Sequence, residues 1–187
     1  MVTIVPYKPS WPAEFLEIAS TLRGSLGDLA MRIDHIGSTS VPGLAAKDRI
    51  DIQVTVAGLN PPVEDALNRL GYQRLEYLSD HPPSGIESKA GDWSKWVFKP
   101  PPGQRATNLH VRVAGQPNQR YAILFRDYLR THTATAEAYA ELKRRLAGNL
   151  ADPDTYPDVK DPAVDLIYFA AEDWAEFTGW LPGPSDA

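Results

Sequence analysis

The stretch His35-Ile36-Gly37-Ser38-Thr39-Ser40-Val41-Pro42-Gly43-Leu44, followed shortly by Ile50-Asp51-Ile52-Gln53-Val54-Thr55-Val56, decides how the chain reads. In the second segment Ile50, Ile52, Val54 and Val56 alternate with Asp51, Gln53 and Thr55, the pattern of a strand with one apolar and one polar face. Met31 to Ile36 reads as a preceding strand, and Gly37 to Leu44 as a turn running toward a short helix. The backbone N–H groups of such a Gly-Ser turn can hold phosphate oxygens, aided by the positive end of a following helix. A carboxylate on the neighbouring strand, Asp51, can hold a divalent cation that neutralises those phosphates. The combination points to phosphoryl chemistry. Plainer readings stay open beside it: Asp51 as a solvated strand residue, Ser38 and Thr39 as helix caps, Gly37 and Gly43 as backbone geometry alone.

Outward from this centre, Pro12 opens a helix with Phe15, Ile18, Ala19, Leu22 and Leu26 at helical spacing, and Pro61-Pro62 opens another that stops at Gly71. Strands follow near Tyr72–Leu78, Trp93–Lys99 and Asn108–Val113, the last two forming a hairpin across Pro100 to Gly103. Between the first two lies a long polar loop, Ser79 to Asp92. From Pro117 the spacing becomes helical to the end, with Asp161-Pro162 capping the last helix. The five tryptophans read as core and interface anchors.

The chain has 187 residues, 43% hydrophobic and 23% charged, which excludes wholesale disorder. It contains no cysteine, so disulfides, thiolate metal sites and thiol nucleophiles are ruled out. A net charge of −5 argues against broad binding to nucleic acid while leaving room for a local basic pocket. Met1 to Ser10 has no signal-peptide pattern and no run approaches the roughly 18 apolar residues of a membrane span, so a soluble, cytoplasmic location is expected.

The segment His35 to Lys47 followed by Ile50-Asp51-Ile52 resembles the signature of the GrpB family, formerly an uncharacterised-protein family. The resemblance continues through Asn108-Leu109-His110-Val111, Phe125-Arg126-Asp127-Tyr128-Leu129-Arg130 and Tyr139-Ala140-Glu141-Leu142-Lys143, and in Tyr156 and Lys160. It implies an α+β, nucleotidyltransferase-like fold: a mixed sheet of five strands flanked by helices, with a helical C-terminal half. It also implies a single domain over residues 1–187, with a core at 1–115, a helical part at 116–182 and a tail at 183–187. The family's domain occurs fused to dephospho-CoA kinase, which makes that enzyme a candidate partner.

By that resemblance the chain is expected to bind a nucleotide or other phosphorylated small molecule. Gly37, Ser38, Thr39, Lys47, Arg112, Arg126 and Arg130 are the expected phosphate contacts, and Asp51 and His110 the expected catalytic groups. The expected cofactor is a divalent metal, Mg or Mn, held by Asp51, His110 and His35. The superfamily places two carboxylates two residues apart on this strand, and here the second position is Gln53. An amide brings no charge to a two-metal site, and a histidine at position 110 suits Zn or Fe better than Mg. Three readings therefore stand together: a nucleotidyl-transferring enzyme, a non-catalytic nucleotide- or CoA-related binding module, and a transition-metal enzyme using His35, Asp51 and His110. Arg126 and Arg130, four apart on one helix face, serve equally as phosphate clamps or as an ion-pair network.

Overall fold

The computed structural model describes residues 2–76, 79–89 and 91–187. Its strands are β1 (Arg32–Ile36), β2 (Ile50–Val56), β3 (Gln73–Leu75), β4 (Lys95–Lys99) and β5 (Thr107–Val113). They form one sheet in the order β1-β2-β5-β4-β3. β2 runs parallel to β5, and every other pairing is antiparallel, so the sheet is mixed.

The alternation along β2 makes the two faces of this sheet chemically different. On one face Ile33, Ile52, Val54, Leu109 and Val111 are fully buried against α1 (Trp11–Leu26) and α2 (Pro61–Arg69). Each such side chain contributes about 1.5–3 kcal/mol by leaving water, so this face anchors the register of all five strands. Pro12 lies in the first turn of α1, where its missing N–H costs nothing. Asn60 caps α2 by accepting from the Val63 amide at 3.4 Å.

The other face carries Asp51, Gln53, Thr55, His110 and Arg112, and across from it stand α3 (Pro117–Thr131), α4 (Thr133–Asn149) and α5 (Tyr156–Thr178). These three helices form a second apolar core of their own, closed by Val41, Leu44 and Ala45 from the segment after β1. Two cores on either side of a sheet whose second face is polar leave a cleft between that face and the C-terminal helices.

Three local expectations are corrected. The expected strand Tyr72–Leu78 shortens to β3, which sits at the sheet edge and pairs only with β4; Leu78 lies outside the described residues. The last helix begins at Tyr156 rather than at Asp161-Pro162, because Pro157 already fits its first turn. Pro162 lies inside it, at the loss of one backbone hydrogen bond. The Gly-Ser turn leads into a single 3-10 turn, Ser38–Ser40, and not into a helix. Val41 precedes Pro42 and takes an extended backbone, which stops helical propagation.

The chain end returns to the free edge of β1. Ser185 Oγ accepts from the Ile33 amide at 2.8 Å, the Ala187 amide donates to the Ile33 carbonyl at 3.1 Å, and Arg32 donates to the Gly183 and Pro184 carbonyls. A sheet edge that would otherwise expose unpaired backbone groups is thereby covered. Among the described residues, no helix is long and apolar enough to cross a membrane.

Candidate functional site

The cleft between the polar sheet face and the C-terminal helices has a volume of about 510 Å³. Of the residues singled out from the sequence, Gly37, Ser38, Asp51, His110 and Arg112 line it, together with Lys160 and Tyr139 from the helices.

Gly37 and Asp51 fit only each other. Gly37 has φ +68°, and a Cβ there would come within 2.5 Å of Asp51 Oδ2. Any side chain would meet both a backbone penalty and a collision with the carboxylate. Asp51 is half-buried, and Asn108 Nδ2 donates to its Oδ1 at 2.7 Å. Burial pushes its carboxyl pKa up, while the Asn108 hydrogen bond and the charges of Arg49, Lys160 and Arg112 oppose that rise.

Ser38 holds a group whose importance the sequence understated. Lys143 is 3% exposed, and its Nζ donates to Ser38 Oγ at 2.8 Å and to the Ala45 carbonyl at 2.5 Å. Burial, then the charge of Lys160, lowers its pKa to about 7. The Tyr139 ring lies 4.5 Å beneath the same amine. Tyr139 and Lys143 are four apart on α4, the spacing that puts both on the face turned to Ser38. That spacing and the place of Lys143 in the motif Tyr139 to Lys143 were the signals in the sequence, although a helical lysine reads by default as solvated. Lys47 lies 4.0 Å over the Tyr156 ring and does not line the cleft. Burial and the charges of Lys160 and Arg49 lower its pKa.

The second carboxylate position is filled by a locked amide. Gln53 is fully buried; its Nε2 donates to the Gln119 carbonyl at 3.0 Å and its Oε1 accepts from Arg112 Nη1 at 2.7 Å. Arg112 in turn donates through Nε to Asp80 Oδ2 at 2.9 Å, and Lys95 also pairs with Asp80. Those two cations hold the Asp80 carboxyl well below the usual range against the opposing effect of burial. Burial first, then Arg112 and Lys95, lower the His110 pKa well below the ordinary imidazole value.

Five expected contacts lie away from the cleft. His35 pairs in register with Ile52, so strand alternation puts it on the apolar face, opposite Asp51. There it stacks on Phe15 at 4.8 Å and shares a hydrogen bond with Thr39 Oγ1 at 3.0 Å. Burial, then Arg130 and Arg126, lowers its pKa to about 3. Thr39, 1% exposed, is taken up by that contact. Arg126 is 3% exposed and binds the His35 carbonyl, Asp127 and Asp186. Arg130 braces the turn from outside, donating to the Ser40 carbonyl at 3.0 Å. The two arginines form the structural network, one of the two roles their spacing allowed. Lys47, over the Tyr156 ring, completes the five.

The three expected metal ligands are not brought together. The expected ligands His35, Asp51 and His110 are divided between the two sheet faces, and both ends of the Gln53 amide are already hydrogen-bonded. Among the described residues no three His, Asp or Glu side chains are grouped to hold a metal ion.

A family profile described as "GrpB protein" matches residues 1–169. The chain belongs to the GrpB family. The crystal structure of the conserved protein GrpB from Enterococcus faecalis superposes with a TM-score of 0.71 at 30% identity, covering 92% of this chain and 99% of that one. The structure of Cid1 with its short product ApU gives a TM-score of 0.51 at 14% identity over 78% of this chain and 43% of that one, a likeness of fold alone. The fold of this GrpB protein is therefore the nucleotidyltransferase-like one expected: a mixed five-stranded sheet with flanking helices and a helical C-terminal half. A dephospho-CoA kinase from Mycolicibacterium paratuberculosis is 38% identical over 197 residues, covering 97% of this chain and 48% of that protein. A UPF0157 protein of Halalkalibacterium halodurans is 36% identical over 171 residues, covering 89% of this chain and 80% of that one. The chain thus spans about half the length of the first of these relatives.

Proposed function

We propose that this GrpB protein binds a nucleotide or closely related phosphorylated small molecule in the cleft, with the phosphates at Ser38 and Lys160 and the Lys143 amine behind Ser38, and that it does so without nucleotidyl transfer. The carrying observation is the buried Lys143 amine on Ser38 Oγ. A lysine held near neutrality by burial takes up a proton when an anion arrives, so it discriminates sharply for phosphate over neutral ligands. Asp51, the one carboxylate beside the turn, sets the limit of that positive field and orients the ligand through its fixed partner Asn108.

Gln53 supports the non-catalytic half of the reading. Nucleotidyl transfer on paired cations needs charge at two positions of this strand, and here the second is an uncharged amide spent on Arg112 and Gln119. The likeness to one half of a dephospho-CoA kinase favours adenine-containing ligands, CoA and dephospho-CoA among them, and a kinase as functional partner.

The test is thermal denaturation with each of the four nucleoside triphosphates, CoA and dephospho-CoA, with EDTA and with Mg²⁺ or Mn²⁺. A ligand at about 100 times its dissociation constant adds roughly 2.7 kcal/mol, a shift of about 5–10 °C for a chain this long. The expected result is such a shift for at least one ligand in EDTA, reduced in Lys143→Met, with no product formed from labelled nucleotide. No shift with any of them refutes the binding; product formation refutes the non-catalytic half; a shift seen only with metal refutes the unaided lysine site.

A further inference from the structure

The far end of the cleft, away from Ser38, is built differently. Among the described residues only four buried side-chain polar atoms lack a hydrogen-bond partner: Thr55 Oγ1, Trp93 Nε1, His110 Nδ1 and Asn118 Oδ1. Three of the four belong to side chains that line this one cleft. Buried polar groups are almost always paired, and leaving one unpaired is costly, so a cluster of them needs an explanation local to the site. Trp93 is 6% and Asn118 1% exposed, so loose surface packing does not supply one.

The surroundings define what would pair them. The charged groups at this end already have partners, because Asp80 is bound by Arg112, Lys95 and Asn118 Nδ2. An indole N–H offers a donor and an amide oxygen an acceptor, and a neutral imidazole nitrogen serves as either. Trp93 meets Tyr121 edge-on at 6.1 Å, and Phe125 stands behind Tyr121, so the wall is aromatic. A neutral planar ring bearing an adjacent donor and acceptor satisfies all of these conditions, whereas an ionised phosphate, which only accepts, leaves Asn118 Oδ1 unpaired and has no face for the aromatic wall.

We propose that Trp93, His110 and Asn118 form a subsite for a nitrogen heterocycle, the base of the phosphorylated ligand whose anionic end lies at Ser38 and Lys143. This rests on the binding reading above and deepens it, by assigning the residues that hold the base. The long loop from Ser79 to Asp92, together with Trp93, thereby acquires a role. Asp80 and Trp93 are tied across its base by the Asp80 amide on the Trp93 carbonyl at 2.8 Å, which holds the indole at the cleft wall.

The experiment compares inorganic tripolyphosphate with the four nucleoside triphosphates by titration calorimetry, on the full chain and on Trp93→Phe. The substitution keeps an aromatic ring but removes the indole N–H together with part of a buried side chain, so a modest fall in melting temperature is expected and affinity is the readout. In the wild type, at least one nucleotide should bind about tenfold or more tighter than tripolyphosphate, the scale of one well-made hydrogen bond plus ring burial. Trp93→Phe should lose about tenfold for that nucleotide and leave tripolyphosphate unchanged. Equal affinity of nucleotide and tripolyphosphate in the wild type overturns the subsite while leaving phosphate binding intact. Unchanged nucleotide affinity in Trp93→Phe also overturns it. Failure of both ligands to bind overturns the binding reading itself.

Discussion

Replacing Lys143 with methionine tests the most unusual group in the molecule. The native amine titrates near pH 7 because it is buried beside Lys160, against 10.5 for an ordinary lysine. Between those two values the unfolded chain binds a proton that the native chain does not, so stability rises with pH across that window. Integrated from pH 7 to pH 9, one such group adds about 2 kcal/mol to the wild type. For a chain of this length that is about 4–8 °C in melting temperature. A methionine side chain cannot titrate, so the wild-type melting curve should climb relative to that of Lys143→Met by that amount over the two pH units. Below pH 7 the two should run parallel, because the wild-type penalty is then fully present. All other groups are common to both proteins and cancel in the difference. The assay is calorimetric or fluorescence melting of both proteins at half-unit pH steps. Parallel profiles from pH 7 to pH 9 would refute the buried, desolvated state of this lysine, and with it the basis for proton-coupled phosphate binding.

Three further outcomes follow from the geometry. Gly37→Ala should destabilise by about 1–3 kcal/mol from its left-handed backbone alone. It should also weaken nucleotide binding, because its Cβ must displace the Asp51 carboxylate; chemical denaturation and titration read the two effects separately. Arg126→Met leaves Asp186 and Asp127 without their buried partner and should cost about 3–5 kcal/mol, with ligand affinity unchanged, since Arg126 binds the chain end and not the cleft. A folded variant with lost affinity would return Arg126 to the ligand. Asp80→Asn strands the buried Arg112 and a nearly buried Lys95 and should likewise cost about 3–5 kcal/mol. In the wild type, the stability from this depressed carboxylate is fully present above the ordinary Asp range and is lost as pH falls through its lowered native pKa. The variant's acid melting profile should therefore be flatter than the wild type's.

The sequence by itself determined the sheet and the heart of the site. The alternation of Ile50 to Val56 has a period of two, and one buried face leaves that period no freedom of register, so the polar face had to carry Asp51, Gln53, His110 and Arg112 together. Gly37 beside Asp51 was equally readable, as a turn that meets a strand with a carboxylate at its start. Tertiary structure decided what no local pattern encodes. Whether His35 joined Asp51 depended on which face β1 turned toward α1, and that is set by pairing with β2. Arg126 and Arg130 carry the same spacing whether they clamp a phosphate or a chain end, and only the return of residues 183–187 to β1 chose between them. Lys143 and Trp93 looked like an ordinary helix lysine and an ordinary core anchor. Their burial beside Ser38 and at the far wall of the cleft arises because two separate cores hold the sheet and the C-terminal helices apart. A property made by the distance between two cores lies in no single stretch of the chain.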